Sequence, residues 1–392
     1  MRHVIAAFLF ILAGGAAAEG ERPNIDWLVY DRSSDEYEID KDAGDAARHE
    51  LTPRWSDTAP ENWDHVVLMI PKKSITAYSV SVGSILATFR ERRRPARFSI
   101  WYFNNDRAVG QEALDWAEAE GADLILTVGS DATIFVHDAY LGGKIPVVTS
   151  ASKDPVLMGQ IDTYDGGSGH NIAYSSINVQ VETLISKLRQ VFAELENITI
   201  LYARKNTSAV QTQVNPLKVF AEDPAQNLTV EEVVVEDAGS AVADLRQRMP
   251  GAVAALKKRD PEGRKSIFWI SGSTSVYANI GLINELSGGI PVLAALPDVV
   301  RSGPDSAVLS IGVNQSSAVH LAALYAISVL DGSAEVGALP VGQVSPPDIA
   351  INFMKVEEMG LTLPFTFFED ATFIYNRAGR TAREFGQRVP VN

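Results

Sequence analysis

Short runs of β-branched, aromatic and other apolar residues recur along the chain with helix-length spacers between them. The first series is Val66-Val67-Leu68-Met69-Ile70, Phe98-Ser99-Ile100-Trp101-Tyr102, Leu124-Ile125-Leu126-Thr127-Val128 and Pro146-Val147-Val148-Thr149. A second series is Ile198-Thr199-Ile200-Leu201-Tyr202, Thr229-Val230-Glu231-Glu232-Val233-Val234, Ser266-Ile267-Phe268-Trp269-Ile270, Pro291-Val292-Leu293 and Val308-Leu309-Ser310-Ile311. This rhythm predicts parallel sheets with crossover helices. It occurs twice, so it predicts two α/β lobes, centred on 65–165 and 175–312, with Asp165-Gly166-Gly167-Ser168-Gly169 as a flexible connection. A length of 392 residues suits about two domains. A helix at about 315–331 follows, ending at Asp331-Gly332, then the turn Ser345-Pro346-Pro347 and a further short strand.

Ahead of this region the pattern differs. Met1-Arg2-His3, an apolar core from Val4 to Leu12, and Ala16-Ala17-Ala18 before Glu19 have the order of a cleavable signal peptide over 1–18. The apolar run is about half the ~20 residues that span a bilayer. Residues 19–64 are polar and acidic, with Pro53 and Pro60 as breakers, and read as an irregular N-terminal arm. The chain has no cysteine, which excludes disulfides, thiolate metal sites, a cysteine nucleophile and a lipid-bearing cysteine. A net charge of −15 opposes binding to nucleic acid or anionic lipid. The basic run from Arg90 to Arg97 falls where a helix should end, and cations there complement the helix dipole.

In open α/β sheets ligands sit beyond the carboxyl ends of the strands. Those positions hold Gly129-Ser130-Asp131, Ser150-Ala151-Ser152-Lys153-Asp154-Pro155, Arg204-Lys205-Asn206-Thr207-Ser208 and Ser271-Gly272-Ser273-Thr274-Ser275. Each hydroxyl or carboxylate is also a good N-cap. Together they line the facing ends of both lobes with donors and acceptors suited to a small polar solute.

Several stretches resemble the substrate-binding proteins of ABC importers typified by tryptophan and aromatic amino-acid receptors, within the type I periplasmic-binding-protein fold. The resemblance rests on the run from Ala122 to Gly129, on Ile145-Pro146-Val147-Val148 with Asp154-Pro155-Val156 and Gly159, and on 198–208. It continues through Ile290-Pro291-Val292, Ser302-Gly303, Ile311-Gly312-Val313, Ile349-Ala350-Ile351-Asn352 and the run from Met359 to Pro364. The chain departs from the family at Pro71-Lys72-Lys73-Ser74, which replaces a His-containing turn, and at Ser130-Asp131, where Thr-Pro is common. The arm and the aromatic tail from Phe365 to Tyr375 lie outside the pattern.

The resemblance implies two doubly wound parallel-sheet lobes joined by a three-strand hinge, with crossovers near 165–175, 312–316 and 344–349. Lobe 1 is then 65–170 plus 315–345, and lobe 2 is 171–314 plus 346–392. Carried over by position, Ser74, Ser130, Asp131, Ser152 and Asp154 face the cleft from lobe 1. Asn206, Ser208, Ser273, Ser275 and Asp298 face it from lobe 2. Asp154 either holds an amine or starts the turn at Pro155. Tyr78, Tyr202 and Tyr277 are aromatics that could stack on a flat ligand, or belong to the core.

The implied function is capture of a small-molecule solute, an amino acid by resemblance, and its delivery to an ABC permease with its ATPase in the inner membrane. The expected location is the periplasm, without direct membrane insertion and without a cofactor. A receptor serving a membrane sensor is the alternative. An exported enzyme is disfavoured, because Gly-x-Ser-x-Gly, His-Glu-x-x-His, phosphate-loop and Gly-x-Gly-x-x-Gly motifs are absent and the six histidines are scattered singly.

Overall fold

The computed structural model describes residues 36–40, 48–72, 78–301 and 303–390. The expected signal peptide at 1–18, and Ser74 among the candidate contacts, lie outside the described residues.

The first sheet contains β1 (Tyr37–Asp40), β2 (Arg48–Pro53), β3 (Asp64–Ile70), β4 (Ala96–Tyr102), β5 (Leu124–Val128), β6 (Val147–Ser150) and β7 (Ile172–Ala173). Their spatial order is β1-β2-β4-β3-β5-β6-β7. The stretch from β4 through β3, β5 and β6 to β7 is parallel, as the first series of runs predicts. Nearly every residue of β3, β5 and β6 is buried, which accounts for their unbroken apolar character. Helix α1 (Tyr78–Glu91) covers one face with Val82, Ile85, Leu86 and Phe89. Helices α2 (Arg107–Ala119) and α3 (Ser130–Tyr140) cover the other with Leu114, Ala117, Phe135 and Val136.

After β8 (Ser175–Ser176) the chain builds a second sheet. Its parallel part comprises β9 (Asn197–Ala203), β10 (Thr229–Val235), β11 (Ser266–Ile270), β12 (Val292–Ala294) and β13 (Leu309–Gly312). The helices between them are α4 (Val181–Val191), α5 (Thr207–Ala209), α6 (Asn215–Glu222), α7 (Ala241–Arg259), α8 (Thr274–Tyr277) and α9 (Ile280–Leu286). Separate apolar clusters fill its two faces, one around Ile200, Trp269 and Ile311, the other around Leu201, Phe268 and Val292.

Helix α10 (Gln315–Leu330) then returns to the first sheet, where Val319, Ala322, Ala323 and Ala326 pack with α1. Strand β14 (Gly342–Gln343) pairs parallel with β8. The chain re-enters the second sheet as β15 (Asp348–Asn352), antiparallel to β13. Helices α11 (Phe353–Glu358) and α12 (Phe365–Glu369) lead to β16 (Phe373–Tyr375), β17 (Thr381–Glu384) and β18 (Gln387–Arg388), which extend that sheet. The aromatic tail therefore belongs to the fold, with Phe367 and Ile374 in its core.

Two local expectations differ from what forms. Within 19–64, β1 and β2 make an antiparallel pair that joins the edge of the first sheet through β4. Tyr37 and Leu51 supply the burial that stabilises it: Tyr37 packs edge-on against Phe98 and donates its hydroxyl to the Leu86 carbonyl at 3.1 Å. The Gly-rich stretch 165–169 is not the connection between the sheets, because β7, beyond it, still pairs with β6. Its glycines serve close packing: a Cβ on Gly167 would collide with the Gly337 carbonyl, and Gly169 N–H donates to that carbonyl at 2.9 Å. The chain leaves the first sheet after Ala173 and, through β8, pairs with β14 before it crosses.

Three segments thus pass between the sheets, after β8, between β13 and α10, and between β14 and β15. Ile177, Val313 and Val344, one from each, share a small apolar cluster with Ala318 and Val179. Among the described residues no helix is long and apolar enough to cross a membrane.

Candidate ligand-binding cleft

The carboxyl ends of both sheets carry small, polar turns that lead into helices. On the first sheet, the turn after β5 places Gly129 at φ 92°, a left-handed conformation suited to glycine. A Cβ there would also stand 2.6 Å from the Tyr78 ring, so the glycine lets the tyrosine lie across the strand end. Ser130 opens α3, and its hydroxyl accepts the Lys153 amide at 3.1 Å, tying the turn after β5 to the turn after β6. Asp131 is exposed and stands 3.8 Å from Lys72 Nζ.

Asp154 is buried and its carboxylate is fully engaged. One oxygen accepts the Val156 and Leu157 amides at 3.0 Å and the other the Tyr164 hydroxyl at 3.0 Å. The two amide bonds are those of the turn at Pro155, while the Tyr164 bond holds the second oxygen beside a small cavity. Ser152 is buried beside it, and its carbonyl accepts the Ile177 amide at the first crossover.

On the second sheet, Asn206 caps α5 by accepting the Ala209 amide at 3.1 Å. Its side-chain NH2 lies 3.4 Å from both the Gly272 carbonyl and the Ser273 hydroxyl. Ser273 is fully buried, bonded to Ser271 at 3.0 Å and to the Ala203 amide at 3.3 Å, so it fastens the end of β11 to that of β9. Ser208 donates to Asn206 at 3.1 Å and is nearly buried. Ser275 is half-buried and contributes its carbonyl to Asn279. Of the predicted contacts, Asn206, Ser208 and Ser273 thus form one polar cluster, whose observed bonds brace the turn. Tyr202 lies in the core, with its hydroxyl on Glu232 at 3.0 Å.

Asp298 follows β12 and receives the Asn314 side-chain amide at 3.1 Å. It keeps exposed surface, yet enough protein surrounds it for burial to raise its carboxyl above the usual range. That combination marks the wall of a crevice. Tyr277, on α8, feels the charge of Asp298, and burial raises its phenol. Tyr78 on the opposite sheet is raised too, first by burial and then by Asp131 and Tyr277. Tyr78 and Tyr277 thus lie within electrostatic reach of each other, one at the strand ends of each sheet.

The sequence reading did not select Lys153 or Gln213. Lys153 follows β6, is only 5% exposed, and extends to the end of β11: a Cβ on Gly272 would collide with its Nζ. The same Cβ would stand 3.4 Å from Gln213 Oε1, which accepts the Gly272 amide at 2.8 Å. Gln213 comes from a single π-helical turn, Val210–Val214, a distortion often found at functional sites. Burial alone lowers the Lys153 ammonium to about 8. The available signal was a lysine among small residues directly after a buried strand.

Beside this contact lies a cavity of ≈ 40 Å³ bounded by Asp154, Tyr164, Gln213 and Trp269, room for a few waters. Trp269 Nε1 is buried there without a hydrogen-bond partner. Among the described residues no three His, Asp or Glu side chains gather to hold a metal ion.

Two doubly wound lobes, three crossovers and polar strand ends that face one another are the architecture of the type I periplasmic-binding-protein fold. The model of the family described as ABC transporter substrate binding protein matches residues 99–372, and the chain belongs to that family. Solved structures of similar fold include the ABC domain in complex with L-Trp from Streptococcus pneumonia, at 17% identity and TM-score 0.61, covering 79% of this chain and 99% of that one. A conserved domain protein from Vibrio cholerae is also 17% identical, with TM-score 0.59 and coverage of 79% and 99%. The ligand-free, open form of a substrate-binding protein with adhesive properties from Clostridium difficile is 17% identical, with TM-score 0.60 and coverage of 79% and 98%. No curated protein sequence matches the chain.

Proposed function

We propose that this chain is the extracytoplasmic receptor of an ABC importer, holding one small solute between its lobes and presenting it to an inner-membrane permease with its ATPase. The lobes are taken as 36–176 plus 315–343 and 177–314 plus 346–390. The observation that carries this reading is convergence: Lys153, from the strand end of the first sheet, reaches Gly272 at the strand end of the second. A ligand touching both strand ends would favour the closed arrangement of the lobes and so change the surface offered to a permease. The order of residues 1–18 supports export to the periplasm. An amino acid is the first solute class to test, since the family resemblance includes aromatic amino-acid receptors and a protein of the same fold holds L-Trp.

The test is a thermal-shift screen of the mature protein, refolded to remove carried-over ligand, against amino acids, sugars, nucleobases and small organic acids. A receptor gains about 2.7 kcal/mol of stability at a hundredfold excess of solute over Kd, which raises Tm. An unchanged Tm with every class would remove the receptor reading.

A further inference from the structure

We propose that Lys153 is the anchor for a carboxylate on the solute, so that the cleft selects anionic or zwitterionic small molecules over neutral ones. The inference rests on the interlobe-cleft reading above and specifies the chemistry recognised there. Lysine is almost never fully buried unless paired. Lys153 is 5% exposed, and among the described residues neither a carboxylate nor a hydrogen-bonding partner of its Nζ is present. Its neighbour Asp154 makes no ion pair with it, its carboxylate being turned to the Val156 and Leu157 amides and the Tyr164 hydroxyl.

The position of the side chain supports a ligand role over a structural one. It leaves the first sheet at the end of β6 and reaches the end of β11 in the second, where glycine at 272 leaves room for the ammonium. Gln213 accepts the Gly272 amide with its Oε1, which fixes the end of β11 against the π-helical turn. The Lys153 backbone amide is bonded to Ser130 in the first turn of α3, so the side chain starts from a fixed turn and its stem crosses to the second sheet. An ammonium at the meeting of the two strand ends favours an anion, and a carboxylate of the solute supplies the charge that the protein omits.

Calorimetric titration of the wild type and of Lys153→Met decides the matter, with matched probes: L-tryptophan and L-tryptophanamide, L-leucine and L-leucinamide, succinate, and the neutral solutes ribose and adenine. The expected result is a carboxylate probe that binds the wild type and loses about 30-fold or more in affinity on K153M, or on replacing its acid by an amide. K153M is checked for folding by its melting curve and by binding of any neutral probe. A neutral solute binding wild type and K153M equally well, with carboxylates no better, overturns the anchor and leaves the receptor reading standing. Carboxylates binding K153M as tightly as wild type overturn it likewise. Failure of every probe on the wild type overturns both.

Discussion

A lysine side chain largely withdrawn from water without a counterion lowers stability, and Lys153 makes that cost measurable. Its folded-state value of about 8 lies below the ordinary 10.5, because burial disfavours the charged form. At neutral pH both folded and unfolded chains carry the proton, and the folded state bears the whole penalty, on the order of 3 kcal/mol. Between about 8 and 10.5 the unfolded chain binds the extra proton, so this residue's contribution to stability rises with pH. Lys153→Met is therefore expected to melt higher than the wild type at pH 7, with the gap narrowing as pH passes from 8 to above 10.5. Melting curves of both proteins across that range test it, and a constant gap would show that the ammonium is solvated. A variant that gains stability while losing solute affinity is what a functional, not a structural, lysine produces. Sequence reading named the turn that holds Lys153 but chose Asp154 and the serines in it, since hydroxyls and carboxylates at strand ends are recognisable by type. Whether a lysine stretches into a cleft or into water depends on what stands opposite, and Gly272 is 119 positions away.

At the scale of elements, legibility followed burial. Strands covered on both faces read as continuous apolar runs, and β3, β4, β5, β6, β9, β11 and β13 are all anticipated within a residue or two. Strand β2 escaped notice because it alternates half-buried and buried residues, with Leu51 its one large apolar side chain. Its partner β1 is four residues of mixed polarity. What fixes the pair is tertiary: Leu51 is fully buried in the cluster that also holds Phe98, Phe89 and Tyr37. Leu51→Ala should accordingly cost about 2–5 kcal/mol, the range for a leucine removed from a packed core. Urea unfolding of this variant distinguishes an integral strand from a loosely attached arm, for which the change would be below about 0.5 kcal/mol. The glycines at 165–169 misled in the opposite direction. Flexibility and close approach both select glycine, and here Gly167 packs against residue 337.

For the whole molecule the decisive feature is that two sheets with separate cores are linked by three adjacent segments. The cluster of Ile177, Val313 and Val344 with Ala318 brings these crossovers together, so small backbone rotations there can move one lobe against the other without disturbing either core. Across the cleft Lys153 reaches Gly272, and Asp154 and Tyr164 of the first lobe share a small cavity with Gln213 and Trp269 of the second. A solute bridging Lys153 and the strand ends of the second lobe would add to the closed state alone, and that difference in affinity is what shifts the population. The absence of cysteine makes the motion measurable, since any introduced thiol is unique. Spin labels at Lys72→Cys and Ala278→Cys, both exposed and on opposite sides of the cleft, report the distance between the lobes. Saturation with a solute identified by the thermal screen should narrow the distance distribution and move it to shorter values. A distribution that stays the same while the solute is bound would remove hinge closure from the mechanism and leave a permease to recognise the ligand itself.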